Sequence, residues 1–375
     1  MDANFSKENK IIINYNKDVK ESILNNVKSK YVLKKILYYL PYNKFLNIIK
    51  YNKKLQNKLD IGQSNYIEYS QIKIEIEVFS TEINRDFISN KWFYQLYKDY
   101  IHVYFDDNKE EIKRNYYTKE DKFNKIKIII DYKVVSLGNL FSFCDCIKSI
   151  KFINFERKDI VNMESMFCYC TSLESIDLSN FNTDKVKDMN SMFYNCSSLR
   201  GINLSKFNTN NVINMKEMFR YCCSLKELNL SNFNTNNVLN MSFMFSGCSS
   251  LKDLDLSSFK TNYVQSMESM FAGCSSLIRL NLSNFSSTPN ILNSAMAMFK
   301  GCYSLRELNL SNFKPSYGTL MHQMFYSCRS LKALNFTFDV VPRMNSTFAF
   351  CPEELIIKIK NEHKDIKDKS LKNYK

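Results

Sequence analysis

Glycine and proline are scarce in this 375-residue chain, which contains only 7 Gly and 5 Pro. This composition excludes collagen-like sequence and flexible glycine-rich linkers. Long apolar runs are also missing, because runs such as 128–130 and 355–357 fall far short of the ~20 residues that a membrane-crossing helix needs. We therefore expect no membrane span. The first residues do not lead into the apolar segment of a secretory signal, which predicts a cytoplasmic protein.

The sequence also offers little that could carry a reaction. Its three histidines, His102, His322 and His363, stand without a partner motif. There is no P-loop, no dinucleotide-binding glycine fingerprint, no Gly-x-Ser-x-Gly and no His-Glu-x-x-His. We expect no enzyme activity, no cofactor and no metal site. The net charge of +14 is dispersed along the chain, which disfavours nucleic-acid binding.

An internal repeat dominates residues 138–352. Met-Phe pairs recur at intervals of 26 residues, with one interval of 28. The pairs are 166–167, 192–193, 218–219, 244–245, 270–271, 298–299 and 324–325. A Cys follows each Phe by three residues, and degenerate units at 140–141 and 347–348 bring the total to about nine. Residues 225–250 show the pattern as Leu-x-x-Leu-x-Leu-Ser-Asn-Phe-x-Thr-x-x-Val-x-x-Met-x-x-Met-Phe-x-x-Cys-x-Ser.

Each repeat predicts two kinds of local structure. The alternation in Leu-x-x-Leu-x-Leu predicts a short strand with one buried face. The Val, Met, Phe and Cys positions recur at three- and four-residue steps, which predicts a helical or 3-10 turn behind that strand. One such unit cannot close a core alone, so the units must stack. We predict an α/β leucine-rich-repeat solenoid, with a parallel β-sheet on its concave face and short helical or 3-10 turns behind it.

Two columns of the repeat predict the interior of this solenoid. The first is a phenylalanine column: Phe181, Phe207, Phe233, Phe259, Phe285 and Phe313. The second consists of the repeated cysteines, which we expect to be free and buried, since a thiol in a reducing compartment behaves as a small apolar side chain. Cys146, Cys168 and Cys223 fall outside the column and are the candidates for exposed, reactive thiols.

The consensus Met-Phe-x-x-Cys-x-Ser-Leu-x-x-Leu-x-Leu-Ser-x-Phe-x-Thr-x-x-Val-x-x-Met closely resembles the repeats of BspA-type leucine-rich-repeat proteins over about residues 138–352. That family is known for bacterial surface proteins and for expansions in parasitic or gut-dwelling protists. The resemblance implies adhesion or protein binding, and it implies no reaction. The chain departs from a surface adhesin because it shows neither the signal nor the anchor expected of one.

We predict four regions: a helical N-terminal module over 1–62, a β-rich linker or N-terminal cap over 63–137, the solenoid over 138–352, and a C-terminal cap with a charged tail over 353–375. Alternating apolar residues predict strands at 71–79, 100–105 and, in part, 125–135, and a closing strand at 353–360. The N-terminal module is similar to an F-box, which implies docking to a Skp-family adaptor; the alternative is a helical cap. The residues that carry this similarity are Ile36, Leu40, Pro41, Leu46 and Ile49.

The concave sheet is the usual binding surface of a curved repeat array. Two columns of outward-facing residues define its character here. The basic column contains Arg200, Lys226, Lys252, Arg306 and Lys332. The Asn/Asp column contains Asp177, Asn203, Asn229, Asp255, Asn281 and Asn309. These columns predict a polar groove for an extended peptide or an acidic surface, or else amide ladders beside solubilising lysines.

The function that this sequence predicts is a monomeric, non-catalytic protein-binding scaffold that uses the concave face. Two alternatives stay open. One is a substrate receptor of a cullin-type ubiquitin ligase, which would dock to its adaptor through the F-box-like module. The other is a BspA-type adhesin at the cell surface or secreted by a non-standard route.

Overall fold

The structure is a computed structural model that describes residues 27–29, 32–33, 52–59, 71–79, 83–131, 134–155, 157–286, 291–336 and 342–363. The chain forms two compact units: Met1–Gln71 with Arg157–Asp159, and Ile72–Glu156 with Ile160–Lys375. In the first unit, helix α1 (Lys53–Leu59) buries two leucines that lie four residues apart. The five residues of the F-box-like pattern lie outside the described residues, and adaptor docking stays a prediction.

The second unit begins with a five-stranded sheet. Its strands and the short pair beside it are β1 (Ile72–Val78), β2 (Arg85–Asp86), β3 (Ile101–Phe105), β4 (Tyr116–Tyr117), β5 (Ile126–Ile130), β6 (Ile147–Asn154) and β7 (Ser175–Asp177). The sheet order is β3-β5-β1-β6-β7, and β2 pairs with β4. Alternate isoleucines of β1 and β5 are buried, as expected of strands with one covered face. The strands predicted at 71–79, 100–105 and 125–135 are thus confirmed.

Strand β6 connects this sheet to the repeats. It pairs antiparallel with β1 on one side and parallel with β7, the first three-residue strand of the repeat pattern, on the other. Later repeats supply β8 (Asp253–Asp255), β9 (Arg279–Asn281), β10 (Glu307–Asn309) and β11 (Ala333–Asn335). Strands β8 and β9 pair parallel, as do β10 and β11, with leucine opposite leucine. The mixed α/β class is confirmed. The predicted concave sheet, however, occurs as short parallel pairs of strands. The described residues 201–203 and 227–229 form no regular strand.

Successive repeats also join through a second ladder. Single parallel bridges link one residue of each unit to the next: Asn162, Asp188, Asn214, Asn240, Ser266, Ser294, Leu320 and Arg343. Around the Met-Phe pair, backbone N–H groups donate to carbonyls of the following unit. Phe219 N–H bonds to Met244 O at 2.9 Å, and Tyr221 N–H to Ser246 O at 2.7 Å. This second ladder is therefore continuous along the repeats, whereas the strands pair only in places.

The Met-x-x-Met-Phe-x-x-Cys segment is not helical in the described units, so the predicted helical or 3-10 turns are wrong. Two residues of the segment, four positions apart, have positive φ, as at Glu217 (59°) and Tyr221 (59°). A left-handed residue at every fourth position interrupts the hydrogen-bond ladder of a helix. The N–H groups of these same residues bond to the next unit instead. The apolar spacing that resembles a helix comes from two consecutive turns.

Glycine occupies the second left-handed position in three units, including Gly247 (φ 77°) and Gly273 (φ 74°). A Cβ on Gly247 would clash with Cδ1 of Tyr221, whereas the nearest neighbour of a Cβ on Gly273 would lie 3.6 Å away. Both Gly→Ala changes add the left-handed strain of about 1–2 kcal/mol. We expect Gly247→Ala to lower the free energy of unfolding by about 1 kcal/mol more, because the ring must move. Urea unfolding of both variants measures this difference, and equal losses would contradict it.

Two phenylalanine columns fill the interior of the repeats. The predicted one is confirmed in part: from Phe155 through Phe181, Phe207 and Phe233 to Phe259, neighbouring rings stack with centroids 4.6–6.4 Å apart. The second column was not predicted. It stacks without interruption through Phe141, Phe167, Phe193, Phe219, Phe245, Phe271, Phe299, Phe325 and Phe348. All nine rings of this second column are fully buried.

The other helical segments lie outside the repeat units. A π-helical turn (Asn90–Tyr94) leads into the short helix α2 (Gln95–Tyr97) and a 3-10 turn (Lys98–Tyr100). Helix α3 (Glu353–Glu362) replaces the closing strand predicted there, which was wrong. Leu355 and Ile359 are its buried residues, and their four-residue spacing places them on one helical face.

Candidate partner-binding surface

The structure brings the basic column together as a row of exposed side chains. Arg200, Lys226, Lys252, Arg306 and Lys332 are all exposed. Backbone bonds tie neighbouring members: Lys226 N–H donates to Arg200 O at 3.1 Å, and Lys332 N–H to Arg306 O at 2.8 Å. Adjacent strands lie about 4.8 Å apart, so the charges are closely spaced. Ile278 interrupts the row between Lys252 and Arg306.

None of the five basic side chains forms an ion pair with any residue that the structure describes. Their neighbour Arg279 differs, because its Nε lies 2.6 Å from Oδ1 of Asp253. Exposed carboxylates also lie on this surface, because Glu227, Asp253 and Glu307 directly follow three of the five basic residues. Basic side chains that are not held in ion pairs nevertheless attract anionic groups. We call these five residues the basic row.

The Asn/Asp column ends the strands. The Oδ1 of Asn203 accepts a hydrogen bond from the N–H of Ser205 at 3.0 Å, and Asn229 does the same with Ser231. The same contact occurs at Asp177, Asp255, Asn281 and Asn309. Each side chain thereby closes a turn directly after its strand position. The sequence analysis did not predict this role in turn formation. The Asn-x-Ser and Asp-x-Ser spacing is nevertheless a signal for such a turn.

Two members of this column are carboxylates. Hydrogen bonds from the Ser179 side chain and backbone hold the pKa of Asp177 below its ordinary value. At Asp255, the bonds from the backbone and side chain of Ser257 lower the pKa in the same way. Both carboxylates therefore stay ionised at neutral pH. The Asn/Asp column adds two negative charges beside the basic row.

Helix α3 borders the last strands. A groove of about 790 Å³ lies between β9, β10 and β11 and the helix. Its polar lining includes Arg279, Asn281, Glu307, Asn309, Asn335, Lys358, Glu362 and His363. Two predicted site residues, Asn281 and Asn309, line this groove. Sequence reasoning missed the groove because it predicted a strand where the helix lies.

All twelve cysteines are free thiols, which includes the nine of the repeated column for which this was predicted. From Cys170 onwards the repeated thiols have a further contact, because each donates to a phenylalanine carbonyl of the preceding unit, as Cys248 Sγ does to Phe219 O at 3.1 Å. The first thiol of the column, Cys144, donates to Ser142 O instead. Burial raises the pKa of these thiols well above the ordinary value. The prediction that Cys146 and Cys168 are exposed is wrong. Both are buried, and burial raises their pKa to about 12 and about 11.

One histidine joins a cluster of acids. His102 Nδ1 lies 2.8 Å from Glu111 Oε1, and Nε2 lies 3.4 Å from Asp131 Oδ2. These residues are far apart in the sequence and gave no motif.

Within the described ranges, no three His, Cys, Asp or Glu side chains are grouped as metal ligands would be. No helix in the same ranges combines the length and apolar character that a bilayer crossing requires.

Comparison with curated proteins finds no match. A family model described as "Mycoplasma protein of unknown function, DUF285" matches residues 135–253, 199–296 and 253–355. The three matches overlap, as expected when one model fits several positions of an internal repeat. Together they extend from 135 to 355, which is more than half of the chain. The chain therefore belongs to the family described as Mycoplasma protein of unknown function, DUF285.

Proposed function

We propose that the chain is a non-catalytic, protein-binding scaffold of the BspA-like leucine-rich-repeat type. The partner binds the strand side of the solenoid, where the basic row provides charge complementarity. The observation that carries this proposal is that the five basic side chains are exposed and lack ion pairs with the described residues. Complementary charge steers association and selects partners, so the surface suits an acidic peptide or an acidic protein surface.

The ends of the repeats support the same proposal. A solenoid needs end caps, because its terminal units would otherwise expose core side chains to water. The five-stranded sheet that contains β6 is the proposed N-terminal cap, and α3 is the proposed C-terminal cap. Both alternatives from the sequence, the ubiquitin-ligase receptor and the adhesin, would also bind a protein through these repeats. A test of the basic row therefore bears on all three.

Charge reversal tests the basic row. We expect the triple variant Lys226→Glu, Lys252→Glu and Arg306→Glu to bind acidic peptides at least tenfold more weakly, which corresponds to a loss of about 1.4 kcal/mol or more. The peptides would be selected from a random display library on the immobilised full-length protein. Their dissociation constants would then be measured by fluorescence anisotropy at two salt concentrations, since exposed charges are screened by salt.

The matched control is the triple variant Lys206→Glu, Lys260→Glu and Lys314→Glu. These lysines are equally exposed but lie outside the strand positions, and the net charge changes by the same amount. We expect the control to retain affinity within about twofold. Equal weakening by both variants would mean that net charge alone attracts the peptides, and it would overturn the proposed surface. Selection of peptides without acidic residues would overturn it as well.

A further inference from the structure

A second recess, of about 420 Å³, lies beside the π-helical turn in the larger unit. The residues that line it come from two distant parts of the sequence: Asp86, Ser89, Asn90, Lys91, Trp92, Gln95, Ser142 and Phe143. None of them belongs to the basic row or to the Asn/Asp column. The turn itself is noteworthy, because π-helical turns are rare and occur frequently at functional sites.

Two aromatic rings in this recess are open to solvent. Trp92 is the only tryptophan of the chain and is 50% exposed, and Phe143 is 59% exposed. Phe143 occupies the second left-handed position of its unit, with φ 63°, as Tyr169 does in the next unit with φ 60°. Its ring stacks on Tyr169 at 4.8 Å, and this contact holds it in place. Exposed rings held in a recess provide a platform for a ligand.

The polar groups beside the rings include one that is incompletely satisfied. The Ser142 side chain is 2% exposed, and its hydroxyl makes no hydrogen bond to a nitrogen or oxygen atom of a described residue. Its partner is the Cys168 thiol, and the hydrogen bond between the two side chains offsets part of the effect of burial on the pKa of that thiol. Because sulfur is a weak hydrogen-bonding group, the buried hydroxyl keeps part of its desolvation cost. A ligand that bonds to it would reduce this cost.

The other polar groups include amides and one charge of each sign. Gln95 Nε2 donates to Asn90 Oδ1 at 2.9 Å. Burial raises the pKa of the Asp86 carboxyl, and a hydrogen bond with Asn115 partly opposes this rise. The ammonium of Lys91 lies 4.8 Å from the centroid of the Trp92 ring. With one acidic and one basic group, the recess has no net charge to select an ion.

We propose that this recess binds a neutral saccharide. A sugar ring has an apolar C–H face, whose slightly positive hydrogens pack against the negative face of an aromatic ring. Its hydroxyls both donate and accept, which suits the Ser142 hydroxyl, the Asn90–Gln95 pair and the Asp86 carboxyl. A quaternary ammonium ligand fits less well, because the Lys91 ammonium already lies over the indole and would repel it.

The single tryptophan makes the site observable in the full-length protein. We expect at least one of lactose, maltotriose, cellotriose, chitotriose and methyl mannoside to change the Trp92 fluorescence in a saturable way. Choline and glucuronate should leave it unchanged. We expect Ser142→Ala to weaken the binding of that sugar about two- to tenfold, as the loss of one hydrogen bond predicts. The stability of this variant should fall by less than about 1 kcal/mol, since the hydrogen bond that is lost is the weak one with the Cys168 thiol.

Leu96→Ala is the control, because Leu96 is 70% exposed and close in sequence but does not line the recess. Its affinity should match that of the unmodified protein. Trp92→Ala, measured by calorimetry, should lose binding at least tenfold. If none of the five sugars changed the Trp92 fluorescence, the proposal would be overturned. A fluorescence change with choline alone would also overturn it. Unchanged affinity in Ser142→Ala would also overturn it. These outcomes are independent of the basic row, so they leave the proposed scaffold function untouched.

Discussion

Replacing Phe245 by alanine is expected to lower the free energy of unfolding by about 4 kcal/mol. Phe245 is fully buried, and its ring stacks between Phe219 at 5.9 Å and Phe271 at 5.6 Å. The substitution removes this buried ring and leaves a cavity between two units. It also removes two aromatic pairs, each worth about 0.5–1.5 kcal/mol beyond the area buried.

Urea unfolding measures this loss, and Tyr317→Ala is the matched control. Tyr317 is 73% exposed, so its replacement should change stability by less than about 0.5 kcal/mol. Each unit of a repeat array contacts only its neighbours, so a defect in the middle weakens the coupling between the two halves. We expect Phe245→Ala to broaden the transition as well as to shift it. Similar losses in Phe245→Ala and Tyr317→Ala would contradict the role of the stacked column.

The sequence predicted the strands because period-two alternation has one common structural explanation. Strands β1, β3 and β5 lie where alternating isoleucines, valines and aromatic residues placed them. The prediction failed where apolar residues recur at steps of three and four. That spacing is shared by a helix and by two turns with left-handed residues four positions apart. In a helix every N–H group bonds within the segment, whereas here alternate N–H groups, such as those of Glu217 and Phe219, bond to the next unit. The pattern of side chains does not distinguish the two.

Helix α3 and the recess at Trp92 illustrate the same limit. Residues 353–360 contain apolar residues that suit a short strand or a helix, and the four-residue spacing of Leu355 and Ile359 favoured the helix. The 26-residue repeat predicted that the five residues of the basic row are exposed and lie in one column, because each unit places its equivalent residue at the same position. The recess at Trp92 could not be predicted, because Ser142 lies about 50 residues from the π-helical turn and only tertiary structure brings them together.

Mild alkali is expected to unfold the chain between about pH 9 and pH 10. Eight thiols of the repeated column are fully buried: Cys144, Cys170, Cys196, Cys222, Cys248, Cys274, Cys302 and Cys328. Burial raises the pKa of each above its ordinary value near 9. The folded state therefore keeps these protons at a pH where the unfolded state has released them. Their contribution to stability is complete below pH 9 and is lost as the pH rises towards the folded-state pKa.

The size of this effect follows from the number of thiols. One pH unit above the unfolded pKa costs about 1.4 kcal/mol per thiol, so eight thiols cost about 11 kcal/mol by pH 10. A loss of this size is comparable to the whole stability of an ordinary domain, which is about 5–15 kcal/mol. Urea unfolding in the presence of a reductant, repeated from pH 7 to pH 10, would measure it.

The slope of stability against pH identifies the thiols as the cause. Above pH 9, the double variant Cys222→Ser and Cys248→Ser should reduce this slope by about 3 kcal/mol per pH unit, because two fewer protons are linked to folding. Phe245→Leu is the control, since it lowers stability without removing a titrating group and should leave the slope unchanged. A serine variant with an unaltered slope would contradict the prediction. The thiol–carbonyl bonds to Phe193 and Phe219 explain why the neutral form is required, since only a protonated thiol can donate them.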